Sequence, residues 1–257
     1  MAMLVTASPC ALLWPAAMIL WGPGFSSTKH KHHSIQLVMG LEADFRIRSG
    51  PGQKWTTCGA ALVRPDAPHE VDATDTELLL AFVDPESDLG AALLERVASP
   101  IYPIAAEQVK SWRDVLGDPK RLTSARVEPW VRTHFLSGRR MPKIHPKVRR
   151  ALKTLREEMA TQRHFPLKRM AEIAGLSPSR FMHVFTESVG VPVRPYILWL
   201  RLQHACGELM NGATVTEAAH RSEFSDAAHL TRTVRRMMGT TPGDLVRRRA
   251  STRAAFV

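Results

Sequence analysis

Two segments of the chain carry the same order of apolar and polar positions. "AEIAGLSPSRFMHVFTESVG" (Ala171–Gly190) and "AHRSEFSDAAHLTRTVRRMMG" (Ala219–Gly239) each run from a short apolar stripe through a turn to Ser, then through an amphipathic stretch to Gly. Ala171 and Ala219 lie 48 positions apart, as do Leu176 and Phe224; Gly190 and Gly239 lie 49 apart, so the second copy gains one residue at the start of its second helix. In the first copy Leu167, Met170, Ala171 and Ala174 recur at helical steps behind Pro166. Gly175 supplies a residue tolerant of positive φ, and Ser177-Pro178 reads as an N-cap followed by a favoured first helical residue. Phe181, Val184, Phe185 and Val189 form the buried stripe of a second helix that stops at Gly190. The second copy repeats this with Val215, Ala218 and Ala219, a cap at Ser225-Asp226, a stripe through Leu230 and Val234, and a stop at Gly239. Each copy therefore predicts two short helices around a tight turn. "PYILWLRLQHACGELMNGA" between them predicts one long helix of about 14 residues, ending at Asn211-Gly212.

The front of the chain has another period. Short apolar runs, "SIQLVMGL", "ALV" and "ELLLAFV", are separated by "RSGPGQ", "RPDAPHE" and "DATDT" over residues 25–85. That spacing predicts a β sandwich or barrel. "ALLWPAAMIL" (Ala11–Leu20) predicts a buried strand; it has no preceding Lys or Arg, which argues against a secretory leader, and it is too short to span a bilayer. Helical patterning begins at "DLGAALLERV" and recurs near Ala105–Leu116 and Ala125–Leu136. Gly138, two prolines and four cationic residues in "LSGRRMPKIHP" mark a linker. The predicted layout is 1–137 as a β-rich domain with a helical end, 138–147 as linker, and 148–257 as an all-α domain whose first helix carries Val148, Leu152, Leu155 and Met159 on one face. The class is α+β.

Charge separates these halves. The net charge is +11, with residues 139–257 at +13 and residues 1–138 at −2. A basic helical half beside a near-neutral β half points to a polyanion-binding module joined to a domain with another task. Cys10, Cys58 and Cys206 are scattered and odd in number, with no CxxC pair; this predicts free thiols in a reducing, cytoplasmic compartment and no structural zinc.

The run "AEIAGLSPSRFMHVFTESVGVPVRPYILWLRLQHACGELM" followed by "FSDAAHLTRTVRRMMGTTPGDL" resembles the DNA-binding domain of the AraC/XylS family of transcription regulators, from near Phe165 to Arg247. The resemblance implies two DNA-reading helices on a rigid connector, suited to successive major grooves about 34 Å apart. It places Ser179, Met182 and His183 on the base-reading face of the first helix, and Ala227, Ala228, Thr231 and Arg232 on that of the second. Arg232 is the strongest chemical candidate, since a guanidinium can grip guanine O6 and N7 together. Arg180, Arg194, Arg235 and Arg236 are candidates for phosphate contact. His183 stands where the family often has Arg, and Glu223 where it commonly has Gly. If Glu223 needs positive φ, it is strained by on the order of 1 kcal/mol.

A second resemblance lies in the front half. "GFSSTKHKHHSIQ" and "GAALVRPDAPH" are similar to the two strand motifs of cupin barrels, which implies an N-terminal cupin-like domain with His30, His32, Gln36 and His69 lining an effector pocket. Gln36 replaces a carboxylate that metal-binding cupins use, so no metal or other cofactor is expected, with ligation by His30, His32 and His69 left as an open alternative. The resulting expectation is a sequence-specific DNA-binding regulator, an activator, whose cupin-like domain senses a small molecule and which is not an enzyme. Its partners would be double-stranded DNA, RNA polymerase and an unidentified effector, with no membrane; self-association as a homodimer would use the stretch Asp88–Leu136. The alternatives are a metal-dependent cupin enzyme with a DNA-binding tail and a non-specific architectural DNA-binding protein.

Overall fold

The apolar runs of the front half pair into two antiparallel sheets in a computed structural model of the chain, which describes residues 6–8, 11–14, 17–135, 144–158 and 167–247. The strands are β1 (Thr6–Ser8), β2 (Ala11–Trp14), β3 (Ala17–Pro23), β4 (Ile35–Gly40), β5 (Phe45–Arg48), β6 (Thr56–Cys58), β7 (Ala60–Val63), β8 (Glu70–Asp72), β9 (Glu77–Val83) and β10 (Ile101–Pro103). A seven-stranded sheet has the order β1-β2-β3-β9-β4-β7-β10, and a three-stranded sheet has the order β6-β5-β8. β9, "ELLLAFV", lies between β3 and β4, pairing Leu80 with both Leu20 and Val38. Its side chains from Leu78 to Val83 are all buried, which is why an uninterrupted apolar run serves where a half-exposed strand would alternate. β5, "FRIR", does alternate: Phe45 and Ile47 are buried, while Arg48 reaches Glu70 at 2.8 Å and lies over the Trp55 ring.

Two expectations change here. The single strand expected over Ala11–Leu20 is two strands, β2 and β3, paired from Ala11↔Leu20 to Trp14↔Ala17. Pro15 lies between them in sequence and has no N–H with which to continue one ladder. The expected barrel is instead a pair of open sheets among the described residues; isolated bridges at Ser26↔Asp72 and His30↔His69 pair the segment between β3 and β4 with β8 and the residue before it. Helices cover the β1–β2 end of the large sheet, so that end is shielded by packing rather than by pairing with the second sheet.

The helical stretch after the sheets holds α1 (Asp88–Leu94), α2 (Ala106–Leu116) and α3 (Ser124–Phe135), close to expectation, whereas β10 between the first two was not foreseen. Trp112 and Trp130 meet edge to face at 5.5 Å, and the Trp21 indole donates to the Leu122 carbonyl at 3.2 Å, fastening these helices to the sheet. Most of the expected linker lies outside the described residues, as do Pro166 and the α4 side chain expected from Met159. Ile144 is already buried, and α4 (Pro146–Glu158) buries Val148, Leu152 and Leu155 as its sequence period requires. Then follow α5 (Leu167–Ala174), α6 (Pro178–Val189), α7 (Val193–Asn211), α8 (Val215–Arg221) and α9 (Ala227–Met238). α7 has 19 residues rather than about 14. It starts two residues before Pro195, which sits in the first turn where no N–H is needed. Among the described residues, no helix is long and apolar enough to cross a membrane.

Candidate nucleic-acid interface

The two helical pairs match down to single hydrogen bonds. After α5, Gly175 takes φ 62 and the Leu176 N–H returns to the Ala171 carbonyl at 3.0 Å. After α8, Glu223 takes φ 58 and the Phe224 N–H returns to the Ala219 carbonyl at 2.9 Å. The partners are 48 residues apart in both cases, so the repeat in the sequence is a repeat of backbone geometry. Ser177 caps α6 by accepting the Arg180 N–H, and Asp226 caps α9 by accepting the His229 N–H at 2.6 Å. The inserted residue falls between Phe224 and this cap. Both helices end on a left-handed glycine, Gly190 at φ 85 and Gly239 at φ 65. Glu223 does occupy the strained region, and its carboxylate accepts from Arg201 of α7 at 2.5 Å, an ion pair that Gly175 could not make.

On α6, Ser179, Arg180, Met182 and His183 are exposed. Met182 is 38% exposed, an apolar side chain left in water on an otherwise polar helix face. On α9, Ala228, Arg232, Arg235 and Arg236 are exposed, while Ala227 and Thr231 are half-buried. The Thr231 hydroxyl donates to the Ala227 carbonyl at 2.7 Å, within its own helix. Hydrogen bonding from the His229 N–H, and more weakly the nearby charge of Arg232, hold the Asp226 carboxyl below its ordinary pKa. Arg194 is exposed in the first turn of α7.

Each pair is clasped by a different neighbour, which the sequence analysis missed. Arg150 of α4 donates to the Ile173 carbonyl at 2.7 Å, and Lys147 to the Gly175 carbonyl at 3.2 Å. Both cations thus complement the C-terminal end of α5. The second pair is held by α7, through Arg201–Glu223, Arg221–Glu208 at 2.8 Å and His204–Ser222 at 2.8 Å. It is also docked on the front domain. The Thr28 N–H donates to the Gly239 carbonyl at 2.9 Å. The Trp199 indole and Gln203 amide of α7 donate to buried Asp84, at 3.4 and 3.3 Å. No local pattern marks Asp84, Trp199 or Gln203, because their partners are more than 100 residues away.

His30, His32, Gln36 and His69 do come together, all buried, directly behind this seam. His30 and His69 exchange backbone hydrogen bonds at 3.0 Å in both directions, which sets their rings 4.1 Å apart; His32 lies 5.3 Å from His69. Burial, reinforced by a neighbouring imidazole, pushes His30 down to about 4 and His32 and His69 to about 3, so all three are neutral at pH 7. His32 stacks on Trp199 at 5.5 Å. An adjacent cavity of ≈ 10 Å³, room for about one water, is lined from both domains by His30, Gln36, Phe82, Met238, Thr240 and Leu245.

Residues 170–248 match the family described as "Helix-turn-helix domain". The chain is 30% identical over 172 residues to the HTH-type transcriptional regulator GlxA of Rhizobium meliloti (strain 1021), covering 66% of this chain and 48% of that one. It thus spans about half the length of the curated relative it matches. In three dimensions it is similar to ToxT of Vibrio cholerae strain SCE256, in an apo lysine-to-alanine variant at TM-score 0.55, with 8% identity over 91% of this chain and 97% of the other. The unsaturated fatty acid-bound wild-type form gives TM-score 0.52, with 9% identity over 95% and 97%. These likenesses show that the two-domain arrangement is shared. With the matched turns, caps and stops already described, the family match identifies residues 170–248 as a helix-turn-helix domain.

Proposed function

We propose that the chain is a sequence-specific DNA-binding transcription regulator and not an enzyme, with its front domain, cupin-like in its paired sheets and clustered histidines, sensing a small effector. The observation that carries this is the duplicated helix-turn-helix geometry within the half whose charge is +13. Ser179, Met182, His183, Ala227, Ala228, Thr231 and Arg232 form the base-reading set, with Arg232 dominant because it alone offers a bidentate fork to guanine. Arg180, Arg194, Arg235 and Arg236 neutralise phosphates and set the register. GlxA, named as a transcriptional regulator, supports this role, and the fatty acid of ToxT supports a front domain that takes a ligand. Activation through RNA polymerase and homodimerisation through the α1–α3 region follow from the family resemblance.

The test is selection of bound duplexes from random DNA by the full chain, followed by salt titration. A bipartite consensus and a steep fall in affinity with salt are expected. Equal affinity for every duplex would make the protein architectural, and absence of duplex binding would overturn the assignment.

A further inference from the structure

The cations of the front domain are unevenly spread. Residues 1–138 carry −2, yet residues 45–64 hold Arg46, Arg48, Lys54 and Arg64 with no Asp or Glu. The first three lie on the β5–β6 hairpin, whose strands pair from Phe45↔Cys58 to Ile47↔Thr56. Its tip is stiff. The Gln53 N–H returns to the Gly50 carbonyl at 3.1 Å around Pro51-Gly52, and Gly52 takes φ 79, the pattern of a type II turn. Below the tip, the Arg48 and Arg46 guanidiniums lie over the Trp55 ring at 4.4 and 5.4 Å. Glu70 and Asp72 of β8 pair with those two guanidiniums, which fastens the hairpin to its sheet. Lys54 is left as the cation nearest the tip, and it is exposed, as are Pro51, Gly52 and Gln53.

The hairpin is joined to the second reading helix by contact. The Lys29 side chain crosses Gly50: a Cβ there would lie 3.3 Å from both Cδ and Cε of Lys29 and 3.5 Å from its Nζ, so Gly50 is buried while Lys29 is exposed. One residue earlier, the Thr28 N–H holds the Gly239 carbonyl at 2.9 Å. Gly239 closes the outward stripe of α9, where Ala228, Arg232, Arg235 and Gly239 follow at steps of four, three and four, with exposed Arg236 beside them. The cations of the reading helix thus run into Lys29 and, across Gly50, into the tip that carries Lys54. Single surface lysines are ordinary. What sets these two apart is their mounting. A reading helix lies in a major groove about 12 Å wide, and what is fixed at its C-terminal end faces the phosphates that border the groove. An ammonium there is a point charge for phosphate and carries no base preference.

We propose that the β5–β6 hairpin, with Lys29 beside it, is a wing that grips the DNA backbone outside the half-site read by α9, so that the front domain is itself part of the duplex-binding surface. This rests on the regulator reading above and adds a third contact to it. The contact falls on one flank only, because the first unit has α4 at its side where the second has the front domain. It supplies affinity and orientation rather than sequence preference. It also ties duplex binding to the seam: a front domain that moves off Gly239 takes the wing with it.

The experiment uses the full chain and the duplex selected from random DNA, trimmed to its consensus or lengthened at one end by about eight base pairs, roughly 27 Å. The wild-type chain is expected to gain about fivefold in affinity from one extension and nothing from the other. The double variant Lys29→Ala/Lys54→Ala loses that gain and flattens the salt dependence on the extended duplex by about 2 in log–log slope, one per phosphate. It binds the trimmed duplex as the wild type does, with the same consensus, and its hydroxyl-radical footprint no longer reaches past the half-site. Both lysines are exposed, so the fold is retained. Lys110→Ala, at an exposed pair on α2, changes none of these. Equal gain from both extensions, or none from either, overturns the wing. A double variant that keeps the wild-type gain and slope also overturns it and leaves the patch to a protein partner. Equal loss on the trimmed and extended duplexes means that the lysines act on the seam, which overturns the DNA contact. A wild-type chain that binds no duplex, or all duplexes alike, overturns the regulator assignment instead.

Discussion

The two helix-turn-helix units share a backbone and differ in what they lean on. The first turns at Gly175 and is clasped by Lys147 and Arg150 of α4. The second turns at Glu223, is tied to α7 by three polar side-chain pairs, and rests its last residue on the front domain. A duplicated unit thus acquires two fates from its neighbours. One unit is held by its own domain, and the other is part of the seam with the front domain. The strained glutamate fits this picture. The first copy spends a glycine to make the turn, whereas the second accepts strain and gains an ion pair to the connector.

The sharpest way to break the comparison is at the two stop glycines. A Cβ on Gly239 would lie 2.4 Å from the Thr28 carbonyl oxygen and 2.5 Å from His30 Nδ1, whereas one on Gly190 meets nothing within 4 Å. Both substitutions to Ala incur left-handed strain of about 1–2 kcal/mol. Gly239→Ala must in addition displace backbone, so its total is expected above about 3 kcal/mol, against about 1 for Gly190→Ala, measured by urea unfolding. Equal losses would mean that the seam does not form in solution.

Next in size are the proposed reading residues. Arg232→Ala is expected to weaken specific duplex binding by about 1–3 kcal/mol and to relax one base position, while His183→Ala loses less than about 1 kcal/mol. Titration of both variants against the selected duplex checks this, and a larger loss at His183 would reverse the ranking of the heads. Helix capping comes third. Ser177→Ala removes an acceptor from the α6 N-terminus and is expected to cost about 1 kcal/mol, with Ser177→Gly milder, again by urea unfolding. The smallest effect is expected at Glu223→Gly. Relief of about 1 kcal/mol of strain is offset by loss of the partly exposed Arg201 pair, worth up to about 1 kcal/mol, so stability should change by under about 1 kcal/mol. Arg201→Ala alone should then destabilise, because it removes the pair and leaves the strain.

Elements whose signals are local were legible in the sequence. The caps, stripes and stops of α5, α6, α8 and α9 all sit within about 12 residues of the groups they satisfy, so periodicity and turn chemistry suffice to place them. The histidine cluster was legible as a set of residues, since the motif spacing picked out His30, His32, Gln36 and His69. Their approach to one another was not, because it depends on the backbone pairing of His30 with His69 across 39 positions. The front domain shows the limit in another form. Apolar runs announced strands, but neither the break of Ala11–Leu20 into two nor the open pair of sheets followed from them, since strand pairing and edge cover are settled by distant partners.

The chain by itself thus determined the duplicated helical unit and the asymmetry of charge between its halves, both properties of short-range order and composition, while the family resemblance supplied the candidate reading residues. Only the tertiary structure decided that the second unit is bound to the front domain through Thr28, Asp84 and Trp199, and that three buried imidazoles stand just behind that joint. Those contacts join residues separated by up to about 210 positions, and their energy exists only once both domains have excluded water from the surface between them.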